Sequence, residues 1–115
     1  MTLRQKQSIF VRLVCDLITY IYHEGYELTF GETYRSPEEA ERLAKLGKGI
    51  KNSLHTSKLA IDLNLFYEGK YLSSTESHRK FGEYWESFSN ENYKCCWGGR
   101  FGDGNHYSIE HGGRK

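Results

Sequence analysis

Several features that would quickly narrow the class of this 115-residue chain are scarce or missing. Cysteine occurs three times, at Cys15, Cys95 and Cys96. An odd number with two adjacent members gives no disulfide framework and fits a reducing compartment. No C-x-x-C pair occurs, which removes a cysteine-type zinc finger. Proline occurs once against 12 glycines, which argues for regular elements joined by tight turns rather than a disordered chain. Net charge is nearly absent, at +1 with 27% charged residues, so no global field marks a nucleic-acid binder. No apolar run approaches the roughly 20 residues of a membrane span. The apolar stretch near the N-terminus is broken by Arg12 and Asp16, and no small-residue cleavage site follows. The expectation is a protein made in the cytoplasm that inserts into no membrane. Repeats, linkers and low-complexity tracts are also missing, and the length suits one domain, residues 1–115, with a single modest core.

What is present is aromatic content, 15% with nine tyrosines, and clear periodicity. Phe10, Leu13, Val14, Leu17, Ile18 and Ile21 recur at helical spacing over residues 3–24, and Gly25 supplies a stop. Residues 26–36 alternate as a strand. Ser36-Pro37-Glu38-Glu39 is a helix start, with an N-cap serine and proline at the first helical position, and that helix is expected to reach about Gly47, then a basic loop through Lys51. A strand over 58–67, a turn at 68–70 and a short return at Tyr71-Leu72 read as a hairpin. Ser74 or Thr75 is expected to cap a third helix over 75–88, with Phe81, Tyr84, Trp85 and Phe88 on one face. "CCWGGRFGDGNHYSIEH" reads as strand, loop, strand. The order of elements gives an α+β class with a small antiparallel sheet and flanking helices.

One residue conflicts with this tidy pattern. Asp62 directly follows Leu59-Ala60-Ile61, in the segment that reads most clearly as a core strand, and a buried carboxylate is costly unless paired or bound to a metal. His55 lies seven residues before it, and Asp103 and His106 follow in "GDGNHYSIEH". Two imidazoles and one carboxylate, with a fourth position open, form the ligand set of an open catalytic zinc site. Asp103 is then a spare carboxylate, the kind of group that takes a proton from water and returns it to a leaving amine.

These residues resemble the zinc peptidases of the D-alanyl-D-alanine carboxypeptidase type, which include phage L-alanyl-D-glutamate endopeptidases. The shared elements are Ser53-Leu54-His55, Ala60-Ile61-Asp62, Trp97-Gly98-Gly99 and Asp103-Gly104-Asn105-His106, preceded by Tyr34-Arg35-Ser36. They span residues 30–107 in the family's order. The resemblance implies the Hedgehog/D,D-peptidase-like fold, one Zn2+ held by His55, Asp62 and His106, and Asp103 as general base and acid. It implies Arg35 as the cation that steadies the oxyanion. Ser53 and Trp97 are candidates for substrate contact, beside plainer readings as a turn serine and a core tryptophan. The implied substrate is the stem peptide of bacterial peptidoglycan, with the L-Ala–D-Glu bond favoured. A phage or prophage endolysin, monomeric and reaching the wall after holin-type release from the host cytoplasm, fits that pattern. The alternatives are a D,D-carboxypeptidase, whose need to bind a terminal carboxylate points to Lys58 or Arg100, and a zinc-stabilised wall-binding module without turnover.

Two positions depart from the family pattern. Many members have glycine three residues after the first histidine, where this chain has Lys58, and many have glutamate two residues after the last, where it has Ser108. His23 is expected near a helix end, His78 on an exposed first turn, and His111 outside the ligand set. Cys95-Cys96 reads as strand packing.

Overall fold

The computed structural model describes residues 1–49 and 53–115; the end of the expected basic loop, residues 50–51, lies outside them. Helix α1 (Leu3–His23) opens on a reciprocal cap in which the Thr2 side chain accepts from the Gln5 backbone and the Gln5 side chain accepts from the Thr2 backbone. It buries Phe10, Leu13, Val14, Leu17 and Ile21, the stripe its spacing predicts. Strand β1 (Glu27–Phe30) follows, shorter than the stretch of alternation in the sequence. Beyond it the chain still touches the sheet through Gly31 N to Asp62 O and Asp62 N to Glu32 O, both 2.8 Å, then peels away. Helix α2 (Pro37–Lys45) begins as read, with Ser36 accepting from Glu39 N at 3.1 Å.

A single 3-10 turn, Leu54–Ser57, leads into β2 (Ala60–Tyr67). The turn closes on Lys58 in the left-handed region, φ 57°, at a cost of about 1–2 kcal/mol for a residue with a Cβ. Glu68-Gly69, both with positive φ, make the tight hairpin to β3 (Lys70–Leu72). Where the sequence predicts one helix over 75–88, the structure has a 3-10 turn, Glu76–His78, followed by the shorter α3 (Arg79–Glu86). Of the two candidate caps, Ser74 is the one that works, accepting from Ser77 N at 3.1 Å, while Thr75 makes no side-chain cap bond. Strands β4 (Cys95–Trp97) and β5 (His106–Ile109) complete the chain, joined by a 3-10 turn over Gly98–Phe101.

The sheet is antiparallel in order β1-β2-β5-β4, with β3 also on β2. Period-two alternation decides which side chains enter the core. Ile61, Leu63 and Leu65 of β2, and Tyr107 and Ile109 of β5, pack with the apolar stripe of α1 and with Phe81 and Trp85. Asp62 and His106 therefore fall on the opposite face, which explains how a carboxylate sits within a core strand. The coarse class is as expected: α+β, with a small antiparallel sheet and three α-helices among the described residues.

Three aromatic tips fasten the segment that carries His106. Trp97 Nε1 donates to Gly104 O at 2.7 Å, Trp85 Nε1 donates to Ser108 O at 3.0 Å, and His78 Nδ1 shares a 2.9 Å hydrogen bond with the Tyr107 hydroxyl. His78 is thus buried rather than on an exposed turn, because the 3-10 turn directs its ring under β5. Both Cys95 and Cys96 are buried, in keeping with strand packing. Among the described residues, no helix is long and apolar enough to cross a membrane.

Candidate metal centre

Strand register brings the first two members together: in the β2–β5 ladder Asp62 stands directly opposite His106. Asp62 Oδ1 lies 3.3 Å from His106 Nδ1. The third member arrives on the 3-10 turn. Ser53 caps that turn by accepting from His55 N at 3.2 Å, and His55 O accepts from Arg35 N at 3.2 Å. The His55 ring is set by Thr33, whose carbonyl is 3.1 Å from Nδ1. A carbonyl only accepts, so Nδ1 carries the proton and the lone pair of Nε2 faces inward. His55 Nε2 stands 3.4 Å from Asp62 Oδ1.

The three ligand atoms all lie within 4.8 Å of one another, so the group is able to hold a metal ion. A tetrahedral ion with bond lengths of about 2.0–2.1 Å spaces its ligands about 3.3–3.4 Å apart, and two of the three edges already have that length. The donors are mixed nitrogen and oxygen, which suits a borderline divalent cation. Both histidines are buried, and Asp62 is partly so.

The electrostatics suit that occupant. Burial alone would raise the Asp62 carboxyl, but the adjoining His106 and His55 rings outweigh it and hold its pKa at about 2. For His55, burial disfavours the charged ring, yet Asp62, the Thr33 carbonyl and the Glu32 carboxylate prevail and the net shift is upward. A pocket that favours a positive charge between these side chains favours a cation there equally.

Two carboxylates flank the group. Asp103 Oδ2 lies 3.9 Å from His106 Nδ1 and its side chain is 53% exposed. Its pKa is raised, first by partial burial and then by the Asp62 charge, against the opposing pull of His106 and His55. Gly98 makes this geometry possible: a Cβ there would overlap the Asp103 carbonyl and stand 2.6 Å from His106 Cβ, and Asp103 N donates to Gly98 O at 2.8 Å. On the other side is Glu32, which the sequence reading missed. One of its oxygens lies 3.5 Å from His55 Nε2, and its carboxylate grips the Arg35 guanidinium through Nε at 3.1 Å and through Nη2. Glu32 reaches the site because its own carbonyl pairs with Asp62 N. Only the spacing Glu32-x-x-Arg35 hints at this, and that spacing carries no meaning outside a helix.

The structure therefore brings His55, Asp62, His106 and Asp103 together, and ties Arg35 to them through Glu32. Ser53 and Trp97, read either as substrate contacts or as a turn serine and a core tryptophan, are 6% and 1% exposed. Ser53 spends its hydroxyl on the His55 turn, and Trp97 packs against Gly82 and Gly99 with Arg79 and Arg100 over its ring. His111 bonds Lys6 at 3.2 Å and takes no part. His106 Nε2 and Ser108 Oγ are buried without a partner among the described residues. They lie on one face of β5, two residues apart.

No family model matches the chain, and a search of curated proteins finds no match to it.

Proposed function

We propose that this protein is a zinc-dependent peptidase that cleaves the stem peptide of bacterial peptidoglycan, with the L-Ala–D-Glu bond as the preferred target. The observation that carries the reading is the pairing of two unlike carboxylates around two inward-facing imidazoles. Asp62 is held ionised at about 2 by both rings, whereas the half-exposed Asp103 beside them is pushed up. A carboxylate that stays charged between two imidazoles suits a ligand, and a half-exposed one beside them is placed to exchange a proton with water.

His55 Nε2, Asp62 Oδ1 and His106 Nδ1 would hold the ion, which when bound supplies Lewis acidity toward a carbonyl and makes water a better nucleophile near neutral pH. Asp103 takes the proton from the attacking water and delivers it to the departing amine. Arg35, permanently charged and 13% exposed, offers its remaining donors to the oxyanion, and Glu32 keeps its guanidinium beside His55. A cell-wall substrate, a phage or prophage origin and release to the wall by a holin complete the proposal, and they rest on the resemblance of the Ser-x-His, Ala-x-Asp, Trp-Gly-Gly and Asp-x-x-His elements.

The test is mass spectrometry of peptidoglycan fragments after incubation with zinc-loaded protein, beside an Asp103→Ala control. The expected products end at L-Ala and carry a new amino terminus on D-Glu, and the control yields none while still binding zinc. Loss of one terminal D-Ala would make the enzyme a carboxypeptidase. Intact fragments, with a folded and zinc-bound protein, would leave a wall-binding module.

A further inference from the structure

The register that brings Asp62 to His106 also lays out what stands beside them. Alternate residues of β2 share a face, so Asp62, Asn64 and Phe66 follow one another on the side away from the core. Thr29 of β1 stands opposite Asn64, and Tyr71 of β3 stands opposite Phe66. Neither Phe66 nor Tyr71 belongs to the apolar core or packs against it, and Thr29 and Tyr71 are exposed. Gly31 lies alongside Asp62, and a Cβ there would stand 3.0 Å from Asp62 Cβ and 3.5 Å from Asn64 Oδ1. Its lack of a side chain leaves Asp62 and Asn64 open toward one another.

Two features of this strip are not explained by folding. Asn64 Nδ2 donates to Thr29 Oγ1 at 3.3 Å, but Asn64 Oδ1 accepts nothing among the described residues. A carboxamide with a free acceptor and a second N–H offers a peptide backbone the two bonds that a neighbouring strand would. Phe66 and Tyr71 hold their rings 5.3 Å apart, tilted by 43°, and Tyr71 is 55% exposed. Four residue steps of strand separate Asp62 from Phe66, about 13 Å at about 3.3 Å per residue, and about four residues of extended peptide have the same reach.

We propose that this open strip of β2 is the track for the substrate's peptide arm on the carboxyl side of the scissile bond. Asn64 pairs with the backbone of that arm, and Phe66 and Tyr71 hold the residue about four positions out. The inference rests on the peptidase reading and adds where the chain beyond the cut bond lies. The amino side of an L-Ala–D-Glu bond is too short for the track, because one alanine there is followed by the sugar's lactyl group. Only the carboxyl arm has the length.

The test is a ladder of synthetic peptides that carry the L-Ala–D-Glu bond with one, two, three or four residues on its carboxyl side. Each is assayed with zinc-loaded wild type, Asn64→Ala, Tyr71→Ala and Tyr71→Phe. In the wild type kcat/KM rises along the ladder, and the step to the fourth residue is about fivefold. Tyr71→Ala cuts that step to about twofold or less, and Tyr71→Phe keeps it. Asn64→Ala flattens the earlier steps by about fivefold, the loss of one neutral hydrogen bond. A fault in folding or in the metal centre would lower every peptide alike, so the ratio of long to short peptides reads the track itself. A wild-type rate that ignores arm length, or a length dependence that either alanine variant leaves intact, overturns the proposal. If the wild type cleaves none of the peptides, the peptidase reading fails instead. Calorimetric titration of the shortest and longest peptides into the same zinc-loaded proteins then decides the track. Tighter binding of the longest, removed by Tyr71→Ala, upholds it, and equal or undetectable binding overturns it.

Discussion

Acid should loosen this protein through His78, and the size of the effect follows from its surroundings. The ring is 3% exposed beneath β5, and burial lowers its pKa from 6.5 to about 4. Between those values the unfolded chain binds a proton that the folded chain refuses, so stability rises with pH across the window. The stabilising contribution is complete above about pH 6.5, is lost as pH falls toward 4, and does not change further below that. A shift from 6.5 to about 4 corresponds to about 3 kcal/mol in full, most of which, about 2 kcal/mol, falls between pH 7 and pH 4.5. His55 and Asp103, whose pKa values are raised, act in the opposite sense, so the whole-protein pH profile mixes several groups. A His78→Gln variant isolates the effect: glutamine keeps a polar partner for the Tyr107 hydroxyl and does not titrate, and everything else is shared. Urea unfolding followed by tryptophan fluorescence at both pH values is the assay. Wild type should lose about 2 kcal/mol more than the variant, a shift in midpoint difference of roughly 1–2 M urea for a domain of this size. Equal losses in the two proteins would refute the burial argument. Because Tyr107 adjoins His106, the same acid step should also loosen this candidate ligand.

Two other expectations concern packing and the ion. Gly82 lies inside α3, where alanine normally gains about 1 kcal/mol, yet a Cβ there would overlap the Trp97 indole. The ring cannot retreat, being 1% exposed and tied to Gly104 O, so overpacking of about 1–3 kcal/mol outweighs the gain. Gly82→Ala should unfold at lower denaturant than wild type, and a rise in midpoint would show that the indole has room to move. Zinc at about 100 times its dissociation constant should stabilise the protein by about 2.7 kcal/mol, raising the melting temperature reversibly with chelator. His106→Ala should abolish that rise, and a variant that still responds in full would remove His106 from the ligand set.

Local chemistry was readable in advance wherever cause and effect lie a few residues apart. The helix cap at Ser36–Glu39, the stripe of α1 and the alternation of β2 each depend on neighbours within one or two turns. The shortening of the third helix was not readable, because Phe81, Tyr84, Trp85 and Phe88 keep helical spacing whether or not the residues before them tighten into a 3-10 turn. Nor was the position of His78. Whether a ring on a first turn meets water or a tyrosine hydroxyl 29 residues away is decided by how that turn docks on β5.

The same division runs through the candidate site. Which side chains were available as ligands was determined by the sequence itself: two histidines, an aspartate interrupting an apolar strand, and a second aspartate three residues before His106. Period two also determines that Asp62 leaves the core face. Only the tertiary structure decided that Asp62 and His106, 44 residues apart, stand opposite each other in one ladder. It also placed Glu32 between Arg35 and His55 and buried Trp97 in the core rather than along the site's wall. The physical reason is range. Propensity, capping and alternation act along the chain within a few residues, whereas a metal centre is made by strand register and packing, which join residues that the sequence holds far apart.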